Sequence, residues 1–213
     1  MRDKNEKQRK LSPAEQRRLE NFNIISEQLA EQGYVKTELT VGIVKANVIT
    51  LIAAVPIFVI GIALFFLLND VSDLNFQGTG FVLFIVIFAA LVLAHELIHG
   101  ITWAIFAEHH FKDIELGFMK EYLTPYCTCK VPLSKSAYIA GALMPLIVLG
   151  IIPTAISIVC GSFLLLLLGL VMIISAGGDM IIVWLLLRYK SKSIDNLIFD
   201  HPTQAGSVVF ERT

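Results

Sequence analysis

Ala46 to Leu68 is a run of 23 residues without a single charge. At 1.5 Å per residue a helix of that length exceeds the ~30 Å hydrocarbon core of a bilayer. Two further stretches are built the same way. Gly80 to Ala107 is apolar apart from a polar cluster in its latter half, and Ala137 to Leu187 runs 51 residues with one charge, Asp179. Fifty-one residues are too many for one crossing, so this stretch is expected to form a helical hairpin turning near Cys160-Gly161-Ser162. Four spans follow, at about 46–68, 80–107, 137–159 and 162–187. The overall balance agrees. With 55% hydrophobic residues, 16% charged and a mean hydropathy of +0.70, an ordinary soluble enzyme is excluded in favour of a multi-pass membrane protein. The lipid bilayer is its expected surrounding, and no nucleic-acid partner is expected.

The basic residues give an orientation. All 17 Lys and Arg fall in three segments: nine up to Lys45, four between residues 108 and 136, and four from 188 to 213. The other two connections have none, so the positive-inside rule puts both termini and the large loop in the cytoplasm of a cell-membrane protein. The first forty residues carry no apolar core of a signal peptide. Three parts are expected: a cytosolic N-terminal segment (1–45), a four-helix transmembrane domain (46–187) and a cytosolic tail (188–213).

Within the first part, Ser12-Pro13-Ala14-Glu15 reads as a capping box with Pro at the first helical position. Leu19, Phe22, Ile25 and Leu29 follow at helical spacing and Gly33 is a natural stop. An amphipathic helix over 13–32, packed on the protein's own cytosolic face, is expected, followed by an extended lead-in over 34–41. In the large loop, Ile114, Leu116 and Phe118 alternate, and so do Tyr126, Thr128 and Lys130. A small cytosolic β-hairpin with its turn near Lys120–Leu123 accounts for both, and a free edge could take a substrate backbone as an added strand. Asp200-His201-Pro202 reads as a turn. The expected fold is an all-α polytopic membrane protein: four transmembrane helices, a small β-hairpin and an N-terminal amphipathic helix.

The polar cluster in the second span is His95-Glu96-Leu97-Ile98-His99. Residues four apart on a helix share a face, so both imidazoles can ligate one Zn²⁺ while Glu96 reaches an adjacent water as general base. In a chain of this composition chance would supply the pattern only about 0.006 times. Ionisable groups in a span cost ~2.5–3.5 kcal/mol each on insertion scales, so three within five residues need a reason. A catalytic zinc usually takes three protein ligands. Asp179 lies eight residues before Leu187 and His99 eight before Ala107, which sets both roughly 12 Å in from the same end of two parallel helices. Gly177 and Gly178 would allow those helices to approach closely.

Other third ligands fit less well. Thr102 and Ile105 stand where a metzincin extension requires Gly and His, and Glu108 is displaced ~13 Å along the helix from His99. Glu115, Glu121, His109 and His110 lie in or near the loop and would have to fold back. The Cys127-x-Cys129 pair does not complete a second metal site and is read as structural. Asp179 could instead be a buried carboxylate paired with another polar group.

The combination of HELIHG at 95–100, TPYCTC at 124–129, GGDM at 177–180 and DHP at 200–202 resembles a bacterial membrane family of zincin peptidases, over most of the chain after about residue 35. More distantly it is similar to site-2-type intramembrane metalloproteases, which carry HExxH on one transmembrane helix and an Asp ligand on a later one. The resemblance implies His95, His99 and Asp179 as zinc ligands and Glu96 as general base. It departs at one position, because site-2 proteases carry Gly after that Asp, often with Asn-Pro before it, whereas Met180 follows Asp179 here.

The expected function is zinc-dependent hydrolysis of peptide bonds in a membrane protein or membrane-proximal peptide near the cytoplasmic face. Two alternatives belong to other classes: a proton- or ion-coupled transporter using the His/Glu/His/Asp cluster as a relay, and a catalytically silent membrane adaptor.

Overall fold

The computed structural model describes residues 11–70, 78–119, 124–191, 193 and 195–212. The chain is mostly helical. Helices α1 (Pro13–Glu31), α2 (Ile43–Leu68) and α3 (Gly78–Phe106) precede strands β2 (Ile114–Met119) and β3 (Thr124–Cys129), with β1 (Tyr34–Thr40) between α1 and α2. After a short β4 (Leu133–Ser134) come α4 (Lys135–Pro145), a wider turn (Leu146–Ile151), α5 (Ile152–Cys160), α6 (Phe163–Ser175) and α7 (Gly177–Arg188). Strands β5 (Asn196–Asp200) and β6 (Gly206–Arg212) close the chain.

Three of the helices, α2, α3 and the run from α4 through α5, are long and apolar enough to cross a membrane. The pair α6–α7 makes a fourth if taken together, but it is bent by 45°. Gly161 makes the expected hairpin turn in the left-handed region, at φ +69°. Beside it the Asn69 carboxamide donates to the Ile158 carbonyl (3.1 Å), tying the end of α2 to the end of α5. Leu51, Ile52, Val59, Val82 and Val86 are exposed on α2 and α3, an apolar surface that would be costly in water. Asp73 of the first connection and the turn at 120–123 lie outside the described residues.

An all-α fold is not what forms at the other end. Besides the expected β2–β3 hairpin, paired from Ile114↔Cys129 to Met119↔Thr124, a four-stranded antiparallel sheet runs in the order β1-β6-β5-β4. The lead-in at 34–40 is an edge strand of that sheet, paired along its length with β6. The tail is therefore a β-hairpin, with Asp200-His201-Pro202 at its turn as expected. Its strands escape periodicity because the sheet is covered on both faces. Val208 and Phe210 of β6 pack with Phe22, Leu29 and Phe199 under α1, while Val209 and Ile198 pack with Trp103, Tyr138 and Leu186 of the bundle. A strand buried on both sides reads as a short continuous apolar run, not as alternation.

Helix α1 forms where its signals put it. The Ser12 backbone N–H donates to the Glu15 carboxylate (2.9 Å), the Glu15 N–H donates back to Ser12 Oγ (3.3 Å), and Gly33 follows at φ +84°. Its buried face, Phe22 and Leu29, seats on the sheet, so the helix packs on the protein itself. Because Phe210 is 1% exposed at this junction, Phe210→Ala is expected to cost ~3–5 kcal/mol in equilibrium unfolding. It should also speed tryptic cleavage at Arg17 and Arg18 as α1 loosens, and an unchanged cleavage rate would show that α1 is held by something else.

Candidate metal centre

His95 and His99 project from one face of α3, one turn apart, with ring centroids 4.8 Å from each other. Asp179 meets them from the first turn of α7. His95 Nε2 is 3.1 Å from His99 Nε2 and 3.2 Å from Asp179 Oδ2, and His99 Nε2 is 3.5 Å from the same oxygen. A tetrahedral zinc with bonds of 2.0–2.2 Å sets its ligand atoms about 3.3–3.6 Å apart, and the three separations of 3.1–3.5 Å come close to one face of such a tetrahedron. The depth matching anticipated this meeting of α3 and α7. Among the described residues His95, His99 and Asp179 are also the one set of three His, Cys, Asp or Glu side chains placed to hold an ion.

Two small residues make the approach possible. A Cβ on Gly177 would lie 2.2 Å from Thr50 Cγ2 of α2, so only Gly lets the start of α7 seat there. Gly178 has open space around its Cβ position, which corrects the expectation that both glycines serve close packing. On α4, Gly141 leaves room for Trp103, whose Nε1 would be 2.0 Å from an added Cβ.

The chemistry of the donors is fixed by their neighbours. His99 Nδ1–H donates to the Gly141 carbonyl (2.9 Å), which leaves the lone pair of Nε2 facing His95 and Asp179. The His99 ring stacks on Trp103 (5.1 Å, 15°), and Trp103 stacks on Tyr138 (5.5 Å, 25°) while its Nε1–H donates to the Tyr138 carbonyl (3.2 Å). His95 Nδ1 is buried with no hydrogen-bond partner among the described residues. Both imidazoles are buried, and the Asp179 side chain retains 26% exposure, so the cluster is open on the carboxylate side. These residues fit a zinc ion: two nitrogens and one oxygen converge on a point, with the tautomer of one imidazole already set.

Glu96 lies half-buried beside the pair, with the Cys127 N–H of β3 directed at its carboxylate. It joins His99 and Asp179 in lining a cavity of about 510 Å³. The walls of that cavity come from β3 (Pro125 to Cys129), from Arg17 and Arg18 of α1 and from the β5–β6 turn. The competing ligands are engaged elsewhere. Glu115 accepts from the Tyr126 hydroxyl (3.1 Å), His109 Nδ1 faces Asp113 (3.4 Å), and His110 Nδ1–H donates to the Ala104 carbonyl (2.9 Å). Glu121 lies outside the described residues.

Asp200 is the residue of this region whose contacts the sequence did not foretell. It accepts from the Tyr138 hydroxyl (2.5 Å) and the Thr128 hydroxyl (2.7 Å), and the Cys129 N–H is also directed at it. Burial pushes its carboxyl above the usual carboxylate range, against those donors. Its signal was the DHP triplet, legible as a turn but not as a contact.

Burial also pushes the Cys127 thiol up and that of Cys129 to about 11, so neither is a thiolate at neutral pH, in keeping with a structural role. In the folded protein at pH 8, iodoacetamide is expected to alkylate both at least about tenfold more slowly than in the unfolded chain. Mass spectrometry of the labelled peptides checks this, and equal rates would mean that a thiolate is present.

A family model, DUF3267, described as "Putative zincin peptidase", matches residues 88–194. That stretch holds all four residues His95, Glu96, His99 and Asp179, together with the β2–β3 hairpin between them. No curated protein and no solved structure matches the chain. The match covers half of the chain, and the protein is a member of the DUF3267 family.

Proposed function

We propose that this protein is a zinc-dependent, membrane-embedded metallopeptidase that cleaves membrane or membrane-proximal substrates near the cytoplasmic face. The observation that carries the reading is the convergence of His95 Nε2, His99 Nε2 and Asp179 Oδ2, 3.1–3.5 Å apart, at a cavity that Glu96 also lines. His95, His99 and Asp179 would hold the ion. Bound there, zinc would polarise a scissile carbonyl and acidify a water at near-neutral pH. Glu96 takes the proton of the attacking water and delivers it to the leaving amine. Strand β3 lines the same cavity, so an extended substrate would lie along it.

The cytoplasmic orientation is supported by where the basic residues sit. The N-terminal segment, the hairpin loop and the tail hold every Lys and Arg of the sequence, and their described residues gather at the sheet end, while Asn69 and Gly161 mark the opposite end. In this arrangement the substrate enters from the cytosol through the open side of the cavity. A relay without metal would use the same His, Glu and Asp groups, so metal content separates the two readings.

Protein purified in detergent without chelator is expected to carry about one zinc per chain by elemental analysis. His95→Ala, His99→Ala and Asp179→Ala should each lose most of it, and less than about 0.2 zinc in the wild type would favour the relay. Glu96→Gln is expected to retain zinc and to slow cleavage by about 10²–10⁴-fold. Comparing membrane proteomes of cells carrying wild type and Glu96→Gln should reveal uncleaved proteins accumulating in the variant. Identical proteomes would point to an adaptor instead.

A further inference from the structure

The catalytic and metal-holding groups named above lie on α3 and α7, yet the contacts bracing them converge on a carboxylate from the far end of the chain. One oxygen of Asp200 takes the Tyr138 hydroxyl (2.5 Å), and the Tyr138 ring backs the Trp103 indole, which backs His99. The Trp103 plane is pinned by its own hydrogen bond to the Tyr138 carbonyl, and the His99 tautomer by Gly141 one turn further along α4. The other oxygen of Asp200 takes the Thr128 hydroxyl (2.7 Å), and the Cys129 N–H is directed at the same carboxylate. Two residues earlier on β3, the Cys127 N–H is directed at Glu96. Residues two apart on a strand direct their N–H groups to the same edge, so Asp200 and Glu96 hold adjacent points of one strand edge.

We propose that Asp200 is a positioning residue: through Tyr138 and Trp103 it fixes the His99 imidazole, and through Thr128 and Cys129 it fixes the strand that orients Glu96. The C-terminal hairpin thereby belongs to the machinery of the site, although no residue of it ligates the ion. An aspartate suits the task because its two oxygens accept from hydroxyls on two different elements, α4 and β3, at once. An asparagine has one acceptor oxygen, so one of the two hydroxyls would have to turn from donating to accepting from its NH₂. This inference rests on the metal-site reading above and deepens it.

The test is a Co²⁺ titration of the full chain in detergent, following affinity and the visible d–d bands of the bound ion. Those bands report ligand geometry without any turnover. Tyr138→Phe removes only the hydroxyl and keeps the ring stack, so it serves where Asp200→Asn fails to fold. Asp195→Asn, on the exposed lead into β5, is the control. Asp200→Asn is expected to weaken Co²⁺ about tenfold and shift the bands, at the low end for an outer-shell partner of a metal histidine. Tyr138→Phe should shift them in the same direction, and the double variant should add little to Asp200→Asn. If Tyr138→Phe and any folded Asp200→Asn keep wild-type affinity and bands, even with a lowered melting temperature, Asp200 is merely structural and the proposal is overturned. A wild type that takes up no Co²⁺ overturns the metal-site reading as well, so the two failures are told apart.

Discussion

Polar groups in an apolar helix bundle must satisfy one another or stay solvated, and the Nε2 atoms of His95 and His99 and the Asp179 carboxylate meet that condition together. Their three atoms stand 3.1–3.5 Å apart, and the surrounding packing serves that closeness. The four-residue spacing on α3 supplies two imidazoles on one face. The bend between α6 and α7 starts a new helix at Gly177, so the carboxylate enters from a first turn. Gly177 lets that turn press on Thr50, and Gly141 lets Trp103 lie flat behind His99. A side chain at either position would collide with its neighbour before the polar groups could meet.

The sheet end does a different job. Helix α1, the four-stranded sheet and the bundle stack in that order, with β6 buried on both faces between Phe22 above and Trp103 below. Strand β1 (Tyr34–Thr40) and strand β6 of the tail lie side by side, so segments from both halves of the chain share one sheet. Arg17, Arg18 and the β5–β6 turn line the same cavity as Glu96, His99 and Asp179. The cavity beside the polar cluster thus shares its walls with residues near both ends of the chain.

The local signals were mostly readable. The capping box at Ser12, the apolar face at Phe22 and Leu29, the turn at Gly161 and the paired runs at 114–119 and 124–129 each rest on physics confined to a few residues. The sheet was not readable beyond its first strand. Val208-Val209-Phe210 is too short and too uniformly apolar to show a period, and its meaning depends on α1 covering one face and the bundle the other. Gly177 and Gly178 look alike in sequence, yet only the first has a neighbour, because helix α2 passes on one side alone.

The site divides in the same way. His95 and His99 were brought to one face by their spacing, since helix geometry places i and i+4 together whatever the rest of the chain does. Asp179 could be matched by depth along parallel helices, a one-dimensional argument that needs packing to make it a contact. Asp200 lies beyond any such argument. Its three partners come from β3 and α4, 62 to 72 residues away in the case of the two hydroxyls, and no pattern within a segment encodes which strand edge will arrive there. Short-range geometry is written in the order of residues; long-range contact exists only once competing surfaces have found the arrangement that buries them together.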